Sequence, residues 1–424
     1  MALDRLVPSV EAFRREVFGV RHAHHRADEL GADFADLFSP DVLERLLGET
    51  GLRATSVRLV RSGEELSLSG SGVADSGDDP DSPRFVDTDW VRRAISRGHT
   101  LILRSLHRYH PPVRVFAHQL SAELGHPVRV NAFITPPNSR GVNPHYDVQD
   151  VFVLQIAGVK LWELRSPPLP DPLPSQAWFD LPERSREQLR ELAAPLGELT
   201  LRPGDVLYFP RGTMHAPRTG DSLSVHLTVA VPKVSRHDLL RRLVDAAVSD
   251  PWFRASVSLP DLESAAEDPA GALREIAARL ARVADQVEPE DLLWAAREDA
   301  FRELPPEPVP VLPPVTPPVA YRPRFGVRFR FTMDGEYVSV SAQRRRMRLP
   351  ATAAPVIESL RQGEVLRVAG LVAELGEDQA RELCQALVEF GLVVPVHDTG
   401  DVRGDVRGDV TRGAGEPTGP RDLG

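Results

Sequence analysis

Cysteine is nearly absent from this chain. Cys384 is the only cysteine among 424 residues, which excludes an intrachain disulfide and a metal cluster held by thiolates. Any bound metal must therefore be held by histidine, aspartate or glutamate side chains. The composition also fits a reducing compartment.

Long apolar stretches are lacking as well. The first 20 residues contain no uninterrupted apolar segment with a basic flank and a small-residue cleavage site. No later window approaches the length of a membrane-spanning helix. The sequence therefore predicts a cytoplasmic protein without a membrane segment.

Positive charge is in deficit. The chain has 51 lysines and arginines against 61 aspartates and glutamates, which gives a formal net charge of -10. Proteins that bind nucleic acid by neutralising phosphates usually have the opposite balance, so nucleic acid is a disfavoured partner. A basic peptide or protein would be attracted more easily.

The length of the chain exceeds one typical domain, so two or three hydrophobic cores are expected. Changes in composition and pattern indicate where one part ends and the next begins. The predicted parts are an N-terminal helical and mixed part (1–99), a β-barrel core (100–234), a helical dimerisation region (235–303), a proline-rich linker (304–323), a winged-helix-like domain (324–396) and a disordered tail (397–424).

Short strands dominate the predicted core. Between residues 128 and 234, several segments alternate or are wholly apolar, and turn residues separate them. These segments are VRVNAFI, VFVLQIA, KLWEL, DVLYFP and LSVHLTVAV. Many short strands of this kind are typical of a barrel or a sandwich. A proline-rich insert at residues 167–197 is expected to cover one face of it.

Helical patterns flank this core. Residues 6–47 show one, with a helix predicted to begin after Ser39. Residues 235–303 are helical almost throughout, which fits a packing or dimerisation layer. The proline content of residues 304–323 excludes a helix and predicts an extended linker. The strands and short helices beyond it suggest a winged helix.

Two histidines and one aspartate form a candidate metal site. His145 and Asp147 are two residues apart in NPHYDVQD, so on a strand both side chains leave the same face. His215, in FPRGTMHAPRT, follows a glycine turn from which a later strand could present its imidazole to the same interior. This donor set is the facial triad of non-haem Fe(II) oxygenases, which leaves positions open for cosubstrate and dioxygen. A structural zinc site would need a fourth protein ligand.

A cation near this site could bind a dicarboxylate cosubstrate. Lys160 lies after the Gly158 turn, among apolar residues, and its ammonium could pair with the distal carboxylate. Asn131 and His226, on neighbouring predicted strands, could hydrogen-bond the cosubstrate or the triad. Both could equally be core polar residues whose hydrogen bonds are made within the protein.

At these residues the sequence resembles the JmjC-type ribosomal oxygenases of the cupin-like family. The stretches that carry the resemblance are GHPVRVNAFITPPNSRGVNPHYDVQDVFVLQIAGVKLWEL, LRPGDVLYFPRGTMHAPRT and SLSVHLTVAV. The resemblance implies an α+β fold: a double-stranded β-helix (a cupin or JmjC jelly roll), a helical dimerisation layer and a C-terminal winged-helix-like domain. It also implies a homodimer.

The resemblance further implies a dioxygenase that uses Fe(II), 2-oxoglutarate and dioxygen to hydroxylate a protein side chain. The side chain would be a histidine or arginine of a ribosomal protein. The iron ligands of the family fall on His145, Asp147 and His215, and its basic cosubstrate residue falls on Lys160.

Two residues depart from the family pattern. Gln149 stands where a histidine is expected after the His-x-Asp motif, and Asn138 stands where glycine is usual. Loops beside the metal decide which side chain can enter, so both departures bear on substrate choice. The same chemistry on a small metabolite or a modified peptide is therefore an alternative.

A second alternative belongs to another class of protein. It is a non-catalytic metal-binding regulator whose winged helix binds DNA, supported by Arg344, Arg345, Arg346 and Arg348. Such a basic run is also typical of a solvated hairpin, and the net charge of -10 disfavours DNA binding.

Overall fold

The computed structural model describes residues 1–31, 33–66, 72–74, 84–312 and 316–397. The chain divides into two compact units, Met1–Leu304 and Pro305–Gly424. The predicted tail lies outside the described residues beyond His397. Among the residues described, no helix combines the length and the apolar character that a membrane crossing requires.

Antiparallel strands form the framework of the first unit. They are β1 (Ala23–His25), β2 (Val57–Arg61), β3 (Glu64–Glu65), β4 (Gly72–Ala74), β5 (Arg84–Val86), β6 (Thr100–Leu103), β7 (Arg129–Thr135), β8 (His145–Tyr146), β9 (Asp150–Ala157), β10 (Lys160–Arg165), β11 (Pro195–Leu201), β12 (Val206–Phe209), β13 (Met214–Thr219) and β14 (Ser224–Val231). A large sheet has the order β1-β12-β9-β14-β7-β6-β2-β3, and a smaller one has the order β11-β10-β13-β8. β4 pairs with β5.

Residues of the large sheet alternate between two environments. On β7, Val130, Ala132 and Ile134 belong to the main hydrophobic core, whereas Asn131 and Thr135 line a cavity on the other face. β14 shows the same division, since strand side chains point alternately to opposite faces. The strands predicted from the five segments are confirmed.

A second core lies between the two sheets. It contains side chains from β9 and β12 of the large sheet and from β10 and β11 of the small sheet. These are Val151, Val153, Trp162, Leu164, Leu201, Leu207 and Phe209. The two sheets therefore face each other, and the cavity lined by residues of both adjoins this core.

Helices lie before, between and after these strands. They are α1 (Val10–Ala12), α2 (Ala27–Leu30), α3 (Pro40–Glu49), α4 (Thr88–Ser96), α5 (Pro111–Leu124), α6 (Glu183–Leu192), α7 (Arg236–Ala246), α8 (Pro251–Arg254), α9 (Leu259–Glu267), α10 (Pro269–Ala284) and α11 (Pro289–Ala300). α3, α4 and α5 contribute side chains to the main core. The Ser39 hydroxyl accepts a hydrogen bond from the Val42 N–H at 3.3 Å, which confirms the predicted start of α3.

The helical pattern predicted over residues 6–47 is interrupted. A π-helical turn spans Phe13–Val17, and β1 pairs with β12 at the edge of the large sheet. The strand is set by tertiary contacts, because His24 Nε2 lies 3.2 Å from the Asp205 carboxylate next to β12. Local helical propensity is outweighed by this pairing.

Helices α7 to α11 bury few side chains. Val283 on α10 and Ala296 on α11 are their buried apolar residues in the described part of the chain. Many large apolar side chains are instead exposed. They include Leu240, Val244, Leu262, Leu273, Ile276 and Leu293, each between 43% and 68% exposed.

In its described residues, the second unit contains two small sheets and three helices. Its strands are β15 (Ala320–Pro323), β16 (Arg330–Asp334), β17 (Tyr337–Ala342), β18 (Arg345–Pro350), β19 (Leu366–Arg367) and β20 (Val393–Val396), and its helices are α12 (Ala354–Arg361), α13 (Val368–Leu375) and α14 (Glu377–Phe390). The sheets have the orders β19-β15-β20 and β16-β17-β18. One face of the second sheet packs with the helices in a common core.

The predicted linker at residues 304–323 overlaps this unit. Its last four residues form β15, the central strand of a sheet. Glu307 pairs with Arg322 at 2.6 Å, and its backbone N–H donates to the Phe325 carbonyl oxygen at 2.9 Å. These bonds fix part of the proline-rich segment 304–323 in the second unit, whereas composition alone predicted a linker there.

Candidate active site

Strand register brings two histidines together. β8 and β13 pair with His145 directly opposite His215, and the two ring centroids are 4.3 Å apart. Asp147 comes just after β8, and its Oδ2 lies 3.7 Å from His215 Nε2. One ligand atom from each residue lies within 4.8 Å of the others. The structure thus brings the three predicted metal ligands into one place.

Both imidazoles are held in the tautomer that a metal ion requires. His145 Nδ1 lies 2.7 Å from the Asn143 carbonyl oxygen, and His215 Nδ1 lies 3.1 Å from the Thr213 carbonyl oxygen. A carbonyl oxygen only accepts hydrogen bonds, so each Nδ1 carries the hydrogen and donates it. Each Nε2 keeps a lone pair for an ion.

Burial keeps one of these histidines neutral. His215 is 4% exposed. Desolvation, followed by the charge of His145, lowers the pKa of His215 to about 4, against a smaller opposing effect of Asp147. Because neutral imidazole is the form that coordinates a metal, His215 is ready to do so at neutral pH.

Two hydrogen bonds join the turns that carry the triad. The Gly212 N–H donates to the Asp147 carbonyl oxygen at 2.9 Å, and the Arg211 N–H donates to Asp150 Oδ1 at 3.0 Å. Gly212 has φ +84°, and a Cβ there would lie 2.6 Å from the Leu169 carbonyl oxygen. Glycine is therefore required in the turn before His215.

Asp150, which was not predicted from the sequence as a functional residue, is the centre of this connection. Its side chain is fully buried, accepts a hydrogen bond from the Tyr208 hydroxyl and pairs with Lys233 Nζ at 2.7 Å. The Tyr208 hydroxyl in turn accepts from the Gly19 N–H at 2.7 Å. The available signal was an acidic residue at the start of the apolar segment DVFVLQIA.

Lys160 is buried in the wall of the cavity that the triad also lines. It is 3% exposed, and its Nζ donates to Thr135 Oγ1 at 2.8 Å and lies 3.4 Å from His226 Nδ1. Among the described residues, no carboxylate pairs with it. Burial lowers the pKa of Lys160 to about 7. An anion placed beside this amine would stabilise its charged form.

Asn131 and His226 line the same cavity. Asn131 Oδ1 accepts a hydrogen bond from the Ser105 N–H at 2.9 Å, so part of its polar capacity is used within the protein. The His226 ring stacks on Phe133 with centroids 4.9 Å apart. Burial, followed by the charge of Lys160, holds the pKa of His226 well below its usual value. Their contact with a cosubstrate or with the triad stays a prediction.

An exposed aromatic side chain that was not predicted from the sequence stands beside the triad. Phe179 is 58% exposed, and its ring centroid lies 5.4 Å from that of His145. The neighbouring Trp178 is buried and packs edge-on against Tyr146, with the Arg190 guanidinium over its ring. Trp178 thus anchors the short turn that presents Phe179 at the cavity.

The two departures from the family pattern lie in different settings. Gln149 lines the cavity. Asn138 has φ +50°, a left-handed conformation that glycine adopts most easily and asparagine tolerates. The asparagine therefore preserves the turn, whereas Gln149 changes the chemistry of the cavity wall.

Residues 107–239 match a family described as the JmjC domain. Over 220 residues the chain is 33% identical to Ribosomal oxygenase 2 of Mus musculus. The aligned region covers 48% of this chain and 45% of that protein. Over 134 residues it is 40% identical to Ribosomal oxygenase 1 of Rattus norvegicus. The aligned region covers 31% of this chain and 22% of that protein. The chain spans less than half the length of these curated relatives.

The fold is similar to that of solved structures. The X-ray structure of E. coli ycfD aligns with a TM-score of 0.56 at 18% identity, over 92% of this chain and 98% of that one. The structure of E. coli YcfD, a ribosomal oxygenase, in complex with cobalt and 2-oxoglutarate aligns with a TM-score of 0.53 at 18% identity over the same shares. The fold is therefore a JmjC cupin-like one, with helices and antiparallel sheets. The predicted resemblance to JmjC-type ribosomal oxygenases is confirmed.

Proposed function

We propose that this JmjC-domain chain is an Fe(II)- and 2-oxoglutarate-dependent oxygenase that hydroxylates a protein side chain. One observation carries the proposal. Two imidazole Nε2 atoms and a carboxylate converge in a cavity whose wall also holds a buried amine, with which no carboxylate of the described chain pairs. E. coli YcfD binds cobalt and 2-oxoglutarate together in its complex, which supports the same pair of ligands here.

His145, Asp147 and His215 would hold the metal ion. The group has two nitrogen donors and one oxygen donor, and no fourth protein donor joins them within the described residues. Such a donor set suits a metal ion that keeps coordination positions open for other ligands. When bound, iron supplies the activation of dioxygen. That activation couples two changes: 2-oxoglutarate loses carbon dioxide to become succinate, and one oxygen atom is inserted into a C–H bond.

Lys160 and Thr135 would bind the distal carboxylate of 2-oxoglutarate. The two side chains are already hydrogen-bonded to each other, so their donors converge on one point of the wall. A charged amine and a hydroxyl are strong partners for a carboxylate in a buried setting. The apolar residues Phe133, Trp162 and Phe209 line the cavity nearby and would limit the access of water.

The substrate we propose is a histidine or arginine side chain of a ribosomal protein. The names of the curated relatives support a ribosomal target. The cavity, with a volume of about 290 Å³, lies at the lower end of the range for small-molecule sites. That volume suits a cosubstrate and one amino-acid side chain better than a large metabolite. The net charge of -10 favours the approach of a basic protein.

Substitution of the triad tests the chemistry. In His145→Ala, Asp147→Ala and His215→Ala, we expect loss of bound iron and of 2-oxoglutarate turnover, since two protein donors hold Fe(II) poorly against water. His237→Ala, at an exposed histidine on α7, is the matched control and should bind and turn over as wild type does. Retained turnover in a triad variant would remove that residue from the site.

Intact-mass comparison tests the substrate. Ribosomal proteins from cells with and without the gene should differ by one oxygen atom in a single protein. Turnover without any such difference would favour the small-metabolite or modified-peptide alternative. Metal binding without any turnover of 2-oxoglutarate would favour the non-catalytic metal-binding regulator.

The finer architecture is part of the same proposal. The two facing sheets would form a double-stranded β-helix, and α12 to α14 with the sheet β19-β15-β20 would form a winged-helix-like domain. The exposed apolar side chains of α7 to α11 support a homodimer formed by this helical layer. Action on ribosomal proteins would place the protein in the cytoplasm.

A further inference from the structure

Positive charge is concentrated in one segment of the second unit. Residues 321–350 contain eight arginines and two acidic residues, a formal charge of +6 in a chain whose net charge is -10. Two of these arginines, Arg322 and Arg324, hydrogen-bond Glu307. Most of the others lie on or beside the sheet β16-β17-β18. The field close to this sheet is therefore opposite in sign to the charge of the whole chain.

Strand register places arginines and hydroxyl groups on the same face of this sheet. Three cross-strand rows form the face: Arg330–Ser341–Arg346, Thr332–Ser339–Arg348 and Asp334–Tyr337–Pro350. Ser339 is buried within this face, whereas Thr332 is exposed on it. The opposite face carries Val338, Val340 and Leu349, which are buried in the core of the unit. Since neighbouring strands are about 4.8 Å apart, Arg330 and Arg346 flank Ser341 with backbones about 10 Å apart.

An aromatic ring completes the face. Tyr337 is 44% exposed, and the Arg348 guanidinium lies 4.3 Å from its ring centroid. Arg348 also pairs with Asp334 at 3.2 Å, but both side chains are more than half exposed, so this pair is weak and can be exchanged for another anion. Arg346 is exposed and makes no ion pair within the described residues.

We infer that this face binds single-stranded RNA. Guanidinium groups bind phosphates through two parallel hydrogen bonds, and serine and threonine hydroxyls also donate to phosphate oxygens. An exposed aromatic ring beside arginines is a platform on which an unpaired base stacks. The three features occur together on one sheet face, whereas an acidic peptide would leave the aromatic ring without a base to stack on it.

A duplex is a poorer match for this unit. α14 follows α13 in a helix pair, and in such pairs the second helix enters the groove of DNA. α14 carries four acidic residues, Glu377, Asp378, Glu382 and Glu389, against the single arginine Arg381. Repulsion from backbone phosphates therefore disfavours the DNA-binding alternative, and the arginine-rich sheet is left as the nucleic-acid surface.

Fluorescence anisotropy of the full chain with a labelled single-stranded RNA of about 16 nucleotides tests this inference. The double variant Arg346→Gln/Arg348→Gln should bind at least about tenfold more weakly. The negative slope of log K against log salt should become shallower by about 1.4 if two phosphate contacts are lost. The matched control is Arg361→Gln/Arg381→Gln, which removes two exposed arginines from helices of the same unit. It should change affinity less than about twofold.

Tyr337 provides a second, independent readout. Tyr337→Ala should weaken RNA binding about tenfold through loss of stacking, and Tyr337→Phe, which keeps the ring, should restore it. Thermal unfolding identical to wild type would show that the variants fold. An equal loss in the helix control, or no difference between alanine and phenylalanine at position 337, would overturn the inference.

Competitors separate RNA from other anions. Polyglutamate of similar length and duplex DNA should compete at least about tenfold less well than the RNA. Equal competition by polyglutamate would make the face a site for acidic peptides and would overturn RNA as its ligand, as would equal competition by the duplex. These measurements need neither iron nor 2-oxoglutarate, so their outcome is independent of the proposed oxygenase activity.

Discussion

The carboxylate of Asp150 accepts a hydrogen bond from the backbone N–H of Arg211 at 3.0 Å. This bond joins the two segments that carry the candidate metal site, because Asp147 lies three residues before Asp150 and His215 lies four residues after Arg211. Asp150 is completely buried and also pairs with Lys233. A buried carboxylate with three donors thus fixes the relative position of two candidate ligands.

Removal of this charge should weaken both the fold and the metal site. In Asp150→Asn the Lys233 ammonium, which is 15% exposed, loses its partner. Breaking a buried ion pair in this way lowers the free energy of unfolding by about 3 to 5 kcal/mol. Urea unfolding followed by tryptophan fluorescence measures it, since all five tryptophans lie before residue 305. Affinity for Co(II) should fall as well, because the turn before His215 loses its anchor.

A neighbouring aspartate provides the control. Asp171 pairs with Nε of the same Arg211 at 3.0 Å, but its side chain is 74% exposed. Asp171→Asn should therefore change stability by at most about 1 kcal/mol and leave Co(II) affinity unchanged. Equal effects of the two substitutions would show that Asp150 has no special role at the metal site.

Local patterns were sufficient to predict the framework of the site. Alternation in VRVNAFI predicted both β7 and the face on which Asn131 lies, because side chains of a strand alternate between faces. The His-x-Asp spacing placed His145 and Asp147 on the same side for the same reason. Lys160 stood out because its neighbours are apolar, and it is buried.

Other features depend on contacts between segments distant in the sequence. β1 has three residues and no distinctive pattern, and it forms because it pairs with β12. Phe179 is placed beside His145 by the packing of Trp178, which no local signal in a proline-rich insert reveals. β15 lies within residues predicted to be a linker, since pairing with β20 decides its conformation.

Phe179 should contribute to substrate binding and leave the cosubstrate unaffected. An exposed ring beside a candidate metal ligand can cover apolar parts of an incoming side chain, and full burial of such a ring stabilises by about 1.5 to 3 kcal/mol. Phe179→Ala should raise KM for the protein substrate about tenfold. Turnover of 2-oxoglutarate without substrate should not change.

The insert offers a matched position for this test. Leu192, at the end of α6, is 69% exposed and does not line the cavity. Leu192→Ala should leave KM for the protein substrate at the wild-type value. If both substitutions raise KM equally, the effect comes from loss of exposed apolar surface anywhere on the insert and does not depend on the position of Phe179.

Exposed apolar residues on α7 should hold two copies together. Leu240 and Val244 lie one helical turn apart, and each is at least half exposed. Light scattering of the wild-type chain at micromolar concentration should give twice the mass of one chain. Val244→Glu should shift the mass towards one chain, because a carboxylate is costly in an apolar interface. Arg241→Glu, at an exposed polar position of the same helix, should remain dimeric.

Affinity for 2-oxoglutarate should fall as the pH rises above about 7. Burial lowers the pKa of Lys160 from 10.5 to about 7, so the amine of the unliganded protein loses its proton above that pH. The distal carboxylate favours the charged amine, and binding above pH 7 must therefore take up a proton. His226, at 3.4 Å, stays neutral in this range because its pKa is lowered well below 6.5.

Two substitutions at this position separate charge from structure. Lys160→Met removes the charge at similar size and should weaken 2-oxoglutarate about ten- to a hundredfold at pH 7, with Co(II) affinity unchanged. Its stability should not decrease, because the unliganded fold no longer contains a buried amine. Lys160→Arg stays charged at every accessible pH, so its affinity should lack the decline above pH 7.

Calorimetric titrations at pH 6.5, 7.5 and 8.5, repeated in buffers of different ionisation enthalpy, measure both affinity and proton uptake. Wild-type affinity that is constant over this range, without proton uptake, would show that Lys160 does not bind the distal carboxylate as an ammonium.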